Sequence, residues 1–405
     1  MWHRDRVIAE ESRRTRQLLL ICAVEVLAMG LWFSASAVVP QLRDDWHLSD
    51  AGATWLTTSV QLGFVAGALS SAILNLPDRM SPTRLIGLSA LAGAAANEAV
   101  ALFAHGLGAA IPLRFLTGIA LAGVYPPGIK LMATWFRAGR GFAVGALVGA
   151  LALGSGTPHL VNAAPVLGWQ AVLGVASALA VVGAVLVVVA VHKGPYAAAA
   201  APFHPGYVRR LFGDRAQRLV CFGYFGHMWE LYAMWTWVPA YAAASFAASG
   251  DRDPSRTAVE LATFAAVGVA GLAGCVLGGV LADARGRAAV TIGSMAVSGA
   301  CCLAASAAYG LAPAIVVALL LVWGMAVIAD SAQFSTALTE VADPAYVGTA
   351  VTAQTAIGFA ITVVSIRLLP SVRADVGWRY AFLFLALGPA LGILAMARVR
   401  SLLRG

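Results

Sequence analysis

The sequence predicts an all-α membrane protein of twelve transmembrane helices, arranged as two pseudo-symmetric six-helix bundles, on three observations. Hydrophobic residues fill 60% of the 405 positions and charged residues 11%, with a mean hydropathy of +0.81, whereas soluble domains carry roughly 25% charged residues. Apolar segments near the ~20 residues that a spanning helix needs recur twelve times along the chain. An uncommon pattern, Glu-x-x-Ala-Met-x-x-Trp, runs through Glu25, Ala28, Met29 and Trp32 and returns 205 positions later as Glu230, Ala233, Met234 and Trp237. The same offset carries Asp78 onto Asp283. Glu, Met and Trp are scarce in this composition, so a duplicated half explains the recurrence.

In chain order the spans centre near Met29, Gly63, Ala94, Leu121, Leu151 and Val181, then near Trp229, Ala270, Val297, Val322, Ile357 and Gly388. Residues 1–16 form an N-terminal tail, 17–191 the first bundle, 192–217 a linker, 218–398 the second bundle and 399–405 a C-terminal tail. The linker carries Lys193, Arg209, Arg210 and Arg215 among Ala and Pro, and is too short for a domain of its own. Of the 27 Lys and Arg residues, 19 fall in the tails, the linker and the loops after even-numbered spans. Five (Arg43, Arg252, Arg256, Arg373 and Arg379) fall on the other side, and three lie within spans. Positive charge marks the cytoplasmic side, so both termini are expected there, in a bacterial-type inner membrane. The net charge of +8 expresses this bias rather than nucleic-acid binding.

Six spans per half make both halves enter the bilayer in the same direction, as parallel repeats about an axis along the membrane normal. Arg13, Arg14 and Arg16 lead into a full-length span with no small-residue cleavage site, so no cleavable signal is expected. Cys22, Cys221, Cys275, Cys301 and Cys302 fall in or beside apolar spans without metal-type spacing. They read as small buried hydrophobes.

Between spans 8 and 9, Gly279-Val280-Leu281-Ala282-Asp283-Ala284-Arg285-Gly286-Arg287 closely resembles the loop signature G-x-L-A-D-R-x-G-R of the major facilitator superfamily, with Ala284 in place of the usual Arg. The first-half counterpart, Leu74 through Arg84, keeps Leu76, Asp78 and Arg79 but has Leu74, Pro77 and Ser81 where Gly, Ala and Gly are usual. Arg114 with Gly118 resembles the family's buried arginine motif. Trp135-Phe136-Arg137 with Gly139-Arg140-Gly141 resembles its loop between spans 4 and 5. Gly168-Trp169-Gln170 and Gly377-Trp378-Arg379 are matching starts to spans 6 and 12. Gly154-Ser155-Gly156-Thr157-Pro158 is only faintly similar to the antiporter motif of span 5 and does not assign antiport. The resemblance covers essentially the whole chain. It implies an alternating-access transporter, not an enzyme, in which spans 1, 4, 7 and 10 line a central cavity. It also implies a conformational latch at Asp78, Arg79, Gly279, Asp283, Gly286 and Arg287, an Asp of such a loop accepting from a neighbouring helix N-terminus.

An ionisable residue at membrane depth is costly and marks function by default. Glu25, Glu98, Arg114, Lys130, Glu230, Asp330 and Arg367 form that set. Lys130 and Arg367 lie near span ends, where they can snorkel to water, and Glu98 sits on an outer-type span. Positions i, i+4 and i+7 share a helix face, so each repeat copy presents a carboxylate, a thioether and an indole. Two such stripes are expected to face one shared cavity. The cavity set is Glu25, Met29, Trp32, Arg114, His227, Glu230, Met234, Trp237 and Asp330.

Glu25, Glu230 or Asp330 is expected to carry a coupling proton, with a small-molecule solute and H+ as partners, a lipid bilayer as surroundings and a monomer as the working unit. No cofactor is implied. Three acids against one or two bases favour a cationic or zwitterionic solute; an anion carrier would centre on Arg114 and Lys130. Three alternatives remain. One is uncoupled uniport. Another is copper-type metal import, since His227, Glu230 and Met234 share a face, although hard carboxylate and soft sulfur do not select one ion together. The third is a non-transporting membrane receptor.

Overall fold

The computed structural model describes residues 2–136, 139–196, 203–250 and 254–402, without the side chains of residues 2–10, 77 and 78. Arg137 of the span 4–5 motif and the side chain of Asp78 lie outside the described residues. The first half contains α1 (Trp2–Ala37), α2 (Asp50–Ile73), α3 (Pro82–Phe103), α4 (Leu107–Ala133), α5 (Arg140–Asn162) and α6 (Trp169–Ala190). The second contains α7 (Arg215–Ala248), α8 (Arg256–Arg285), α9 (Arg287–Ala308), α10 (Pro313–Val341), α11 (Val347–Tyr380) and α12 (Leu383–Leu402). Among the described residues, eleven of these helices contain a stretch long and apolar enough to cross a membrane. The twelfth, α7, has 34 residues, but His227, Glu230 and a run of Trp and Tyr dilute its apolar character.

The first sixteen residues, expected as a tail, extend α1 without a break from Trp2. The linker contains a short helix, Tyr207–Gly213. Two cavity-type spans are interrupted near mid-depth: α4 between Leu121 and Tyr125, and α10 at Asp330. Helix α8 carries a π-helical turn over Ala265–Ala270, a distortion often found at functional sites. Val182, Val185 and Val188 on α6 and Leu387, Leu391 and Leu394 on α12 are exposed, forming the apolar outer surface that a bilayer covers. The molecule is a multi-pass membrane protein.

Each half packs through close backbone approach. A side chain at Gly63 or Gly118 would strike the facing backbone of α2 and α4 within about 2 Å, and Gly274 and Gly278 stand equally close to α10. These small-residue faces bring helices together within one half. Another joins the two halves. On α5, Gly141, Gly145, Gly149 and Gly156 recur about every four residues and meet Asp283, Cys275, Leu272 and Gly268 of α8. Only a hydrogen side chain admits this contact, which joins the two halves from one end to the other. Helices α2 and α11 make the second inter-half contact.

Candidate functional site

Arg114, on α4, is fully buried. Its Nε donates to Leu56 O (3.2 Å), and Nη1 donates to Leu31 O (2.8 Å), Ser34 Oγ (3.2 Å) and Asn97 Oδ1 (2.9 Å). Nη2 donates to Trp32 O. All three guanidinium nitrogens are engaged in joining α1, α2, α3 and α4, and among the described residues no carboxylate pairs with it. Arg114 thereby ties four helices of the first half together.

Trp32 lies where the halves meet. Its ring centroid is 4.9 Å from Phe64 on α2, 5.6 Å from Tyr232 on α7 and 5.4 Å from Phe359 on α11. Phe33 adds Tyr232 at 6.1 Å and Trp235 at 5.8 Å. Around this aromatic cluster stand buried polar atoms without hydrogen-bond partners: Trp32 Nε1, Trp235 Nε1, both amide atoms of Gln61 and Glu25 Oε1. Gln61 shares the helix face of Phe64, one turn away. Each orphaned group costs about 1–3 kcal/mol, and such clustering calls for an explanation. Glu25 is within electrostatic reach of Tyr125 in its own half and Tyr232 in the other. Met29 is fully buried core.

The second copy of the pattern is placed differently. Glu230 accepts from Ser298 Oγ (2.9 Å), Cys302 Sγ (3.1 Å) and Trp323 Nε1 (2.6 Å) on α9 and α10, so it points into its own bundle. Met234 is buried filler, and Trp237 Nε1 donates to Ile366 O at 3.1 Å. The two stripes do not face one shared cavity. Across the seam α1 meets α7 through Trp32 and Phe33 against Tyr232, and Phe33 against Trp235.

His227 Nδ1 lies 3.0 Å from Asp330 Oδ1 at the break in α10, off the line of a hydrogen bond, and both Asp330 oxygens remain without one. His227 faces Asp330, while both oxygens of Glu230 are taken by Ser298, Cys302 and Trp323. Among the described residues no cluster of three or more His, Cys, Asp or Glu is placed to hold a metal ion.

At the end away from the termini a cavity of about 570 Å³ lies between the halves. Its walls include Ala37, Thr54, Asn162, Trp237, Glu260 and Trp378. Arg43 and Arg373 both engage Asp50 there, the latter from the opposite half. Sequence reading missed Glu260 and His159. Their side chains are 5% and 3% exposed, with His159 Nδ1 2.6 Å from Glu260 Oε2 across the halves. The signal was available: Glu260 falls one turn inside α8, and His159 follows Pro158 in a glycine-rich span.

At the other end, Asp283 packs against Gly141 in the first turn of α5 and accepts from Arg287 at 2.9 Å. Arg287 also reaches Gln333 at 3.1 Å and Glu340 at 3.5 Å. Gly286 between them has φ +84°, a conformation that favours glycine. Gly279 seats on the Gly141 carbonyl. Arg79 closes the short helix Leu76–Arg79 in the equivalent loop.

Two helical bundles enclosing buried polar groups along their seam define a secondary transporter. The family model described as the Major Facilitator Superfamily matches residues 21–366, and the chain belongs to that family. Among solved structures it is similar to the proton:xylose symporter XylE bound to 6-bromo-6-deoxy-D-glucose, at 17% identity and TM-score 0.74, covering 96% of each chain. It is also similar to a partially occluded inward-open xylose transporter XylE from E. coli (13% identity, TM-score 0.72, 96% and 98% covered). A mutant of the nucleoside transporter NupG aligns at 13% identity and TM-score 0.71, with 95% and 99% covered. No curated protein sequence matches significantly.

Proposed function

We propose that this protein is a proton-coupled transporter of a small neutral or zwitterionic solute, held at the seam between Trp32, Gln61, Tyr232 and Phe359. The observation that carries the reading is the set of orphaned polar atoms around the aromatic cluster. In a closed seam they are expensive, and a solute with hydroxyl, amide or amine groups satisfies them while its apolar face stacks on the rings. Arg114 is engaged in joining helices of the first half. Glu25 supplies the proton site: a carboxyl with one unpartnered oxygen, buried beside residues of both halves, changes surroundings as the halves rock. The likeness to a proton:xylose symporter is in keeping with a hydroxyl-rich solute. Orientation with both termini in the cytoplasm of a bacterial-type cell, and a monomeric working unit, complete the reading.

A thermal-shift panel of metabolites identifies a solute, and Glu25→Gln is then assayed in proteoliposomes. Solute exchange is expected to persist while accumulation driven by a pH gradient is lost. Accumulation equal to that of the unmodified protein would remove Glu25 from coupling.

A further inference from the structure

The His159 and Glu260 pair is not part of the midline site, and its geometry is that of a clamp. One carboxylate from the second half accepts from two side chains of the first, His159 Nδ1 at 2.6 Å and Asn162 Nδ2 at 3.0 Å. Asn162 is itself fixed, donating to Ala37 O at 2.8 Å and accepting from Gln41 Nε2 at 3.1 Å. Glu260 and Asn162 line the large cavity, so the clamp spans the seam in the cavity wall. Adjacent contacts follow the same seam: Thr257 Oγ1 donates to Ala163 O at 2.7 Å, and Arg256 reaches Ala164 O and Leu167 O.

We propose that His159 and Glu260 form a second proton-binding site, and that a proton taken up by this pair from the cavity draws the halves together at that end. Without the proton, a buried anion meets a neutral imidazole. With it, the pair becomes an imidazolium–carboxylate contact of no net charge, an ion pair in place of a buried anion bonded to a neutral ring. Imidazole is the side chain whose charge changes between about pH 5 and pH 8. Proton loading and closure of the cavity over its contents thereby become one event.

Among the described residues, most other charged groups around this end are engaged elsewhere or exposed: Glu98 stands beside Gly174 of α6, and His105 and Asp375 are exposed. Arg43 and Arg373 engage Asp50, Arg256 engages carbonyls, and Asp45 accepts from Trp169 Nε1 at 2.7 Å. Arg367 lies over the Trp55 ring at 4.2 Å and Arg379 over the Tyr309 ring at 5.8 Å. Asp44 and His47 are exposed on the short helix Val39–Trp46 and its cap. The stretches of α7 and α10 that face this end add no further acid or base beyond Glu230, which is held by α9 and α10. Glu25 lies toward the other end of α1, eleven positions before Ser36 at the cavity wall.

The test needs no solute. Spin labels at Val166→Cys and Leu311→Cys, exposed loop positions of the two halves at this end, report their separation by pulsed dipolar spectroscopy. The background is Cys22→Ala, the other four cysteines being buried. Acidification from about pH 8 to about pH 5 is expected to raise the short-separation population by about tenfold, the equivalent of 1.4 kcal/mol. Glu260→Gln and, independently, His159→Gln are expected to hold that population constant with pH while unfolding cooperatively. Glu98→Gln, which removes a carboxyl from an outer span at the same end, is expected to keep the wild-type response. A wild-type population that ignores pH, or folded Glu260→Gln and His159→Gln proteins that respond as wild type does, would overturn the proposal.

Discussion

Glu25 and Glu230 begin the same eight-residue pattern, yet one has an oxygen with no partner and the other is held by three donors from two helices. Their tryptophans differ in the same sense. Trp32 Nε1 is orphaned inside the aromatic cluster, whereas Trp237 Nε1 is bonded to Ile366 O at the edge of the large cavity. A repeat can thus be true of whole halves and untrue of residue pairs. Helices α3 and α9 coincide under the 205 offset from first to last residue, Pro82–Phe103 against Arg287–Ala308. Helices α1 and α7 do not match in this way: the first half breaks at Val38 and starts a new helix at Val39, while α7 runs on through Pro239 to Ala248.

The sharpest way to break this comparison is to exchange each acid for its amide. Glu25→Gln is expected to abolish pH-driven accumulation outright, whereas Glu230→Gln keeps coupling, measured as solute uptake at fixed external pH in proteoliposomes. Equal losses in both would restore equivalence to the two copies. Truncation separates them by stability. Glu230→Ala leaves Cys302 and Trp323 without their acceptor and Ser298 with Met295 O alone, and is expected to cost about 3 kcal/mol. Glu25→Ala removes an atom already lacking a partner and should cost well under half as much, both read from unfolding in detergent. Gly145→Val would place a carbon 2.6 Å from Cys275 O at the seam, so turnover is expected to fall at least tenfold with a smaller loss of stability; unchanged exchange rates would contradict a seam that moves. The smallest effect is expected from Trp32→Phe, which keeps an aromatic ring and removes the orphaned N–H. Stability should change by less than about 1 kcal/mol, while solute affinity falls, as read by titration calorimetry.

The architecture was legible because the bilayer demands long apolar helices, and because Asp283, Gly286 and Arg287 sit in a loop whose backbone leaves little freedom. The spans and loops that carry Asp283, Trp32 and the acids could be read from residue type. The partners of the acids could not. Whether a carboxyl meets donors depends on helix rotation, which a composition of Ala, Val and Leu does not reveal. Arg114 illustrates the same limit, since nothing in the sequence announces that the carbonyls of Leu31, Trp32 and Leu56 will engage its donors. His159 and Glu260 escaped notice because each looks unremarkable within its own half, and their meaning arises only when α5 and α8 lie side by side.

The glycine row on α5 has one more consequence. Where one helix meets the other with glycines, a change of angle between them moves few side chains, Leu272 among them, so the barrier to reshaping is not the repacking of an interlocked core. It is set by a few polar fastenings, Asp283 against α5 at one end and Glu260 with His159 at the other. Tempo and directional bias of the working cycle can therefore be adjusted at those two fastenings while each half keeps its full rigidity.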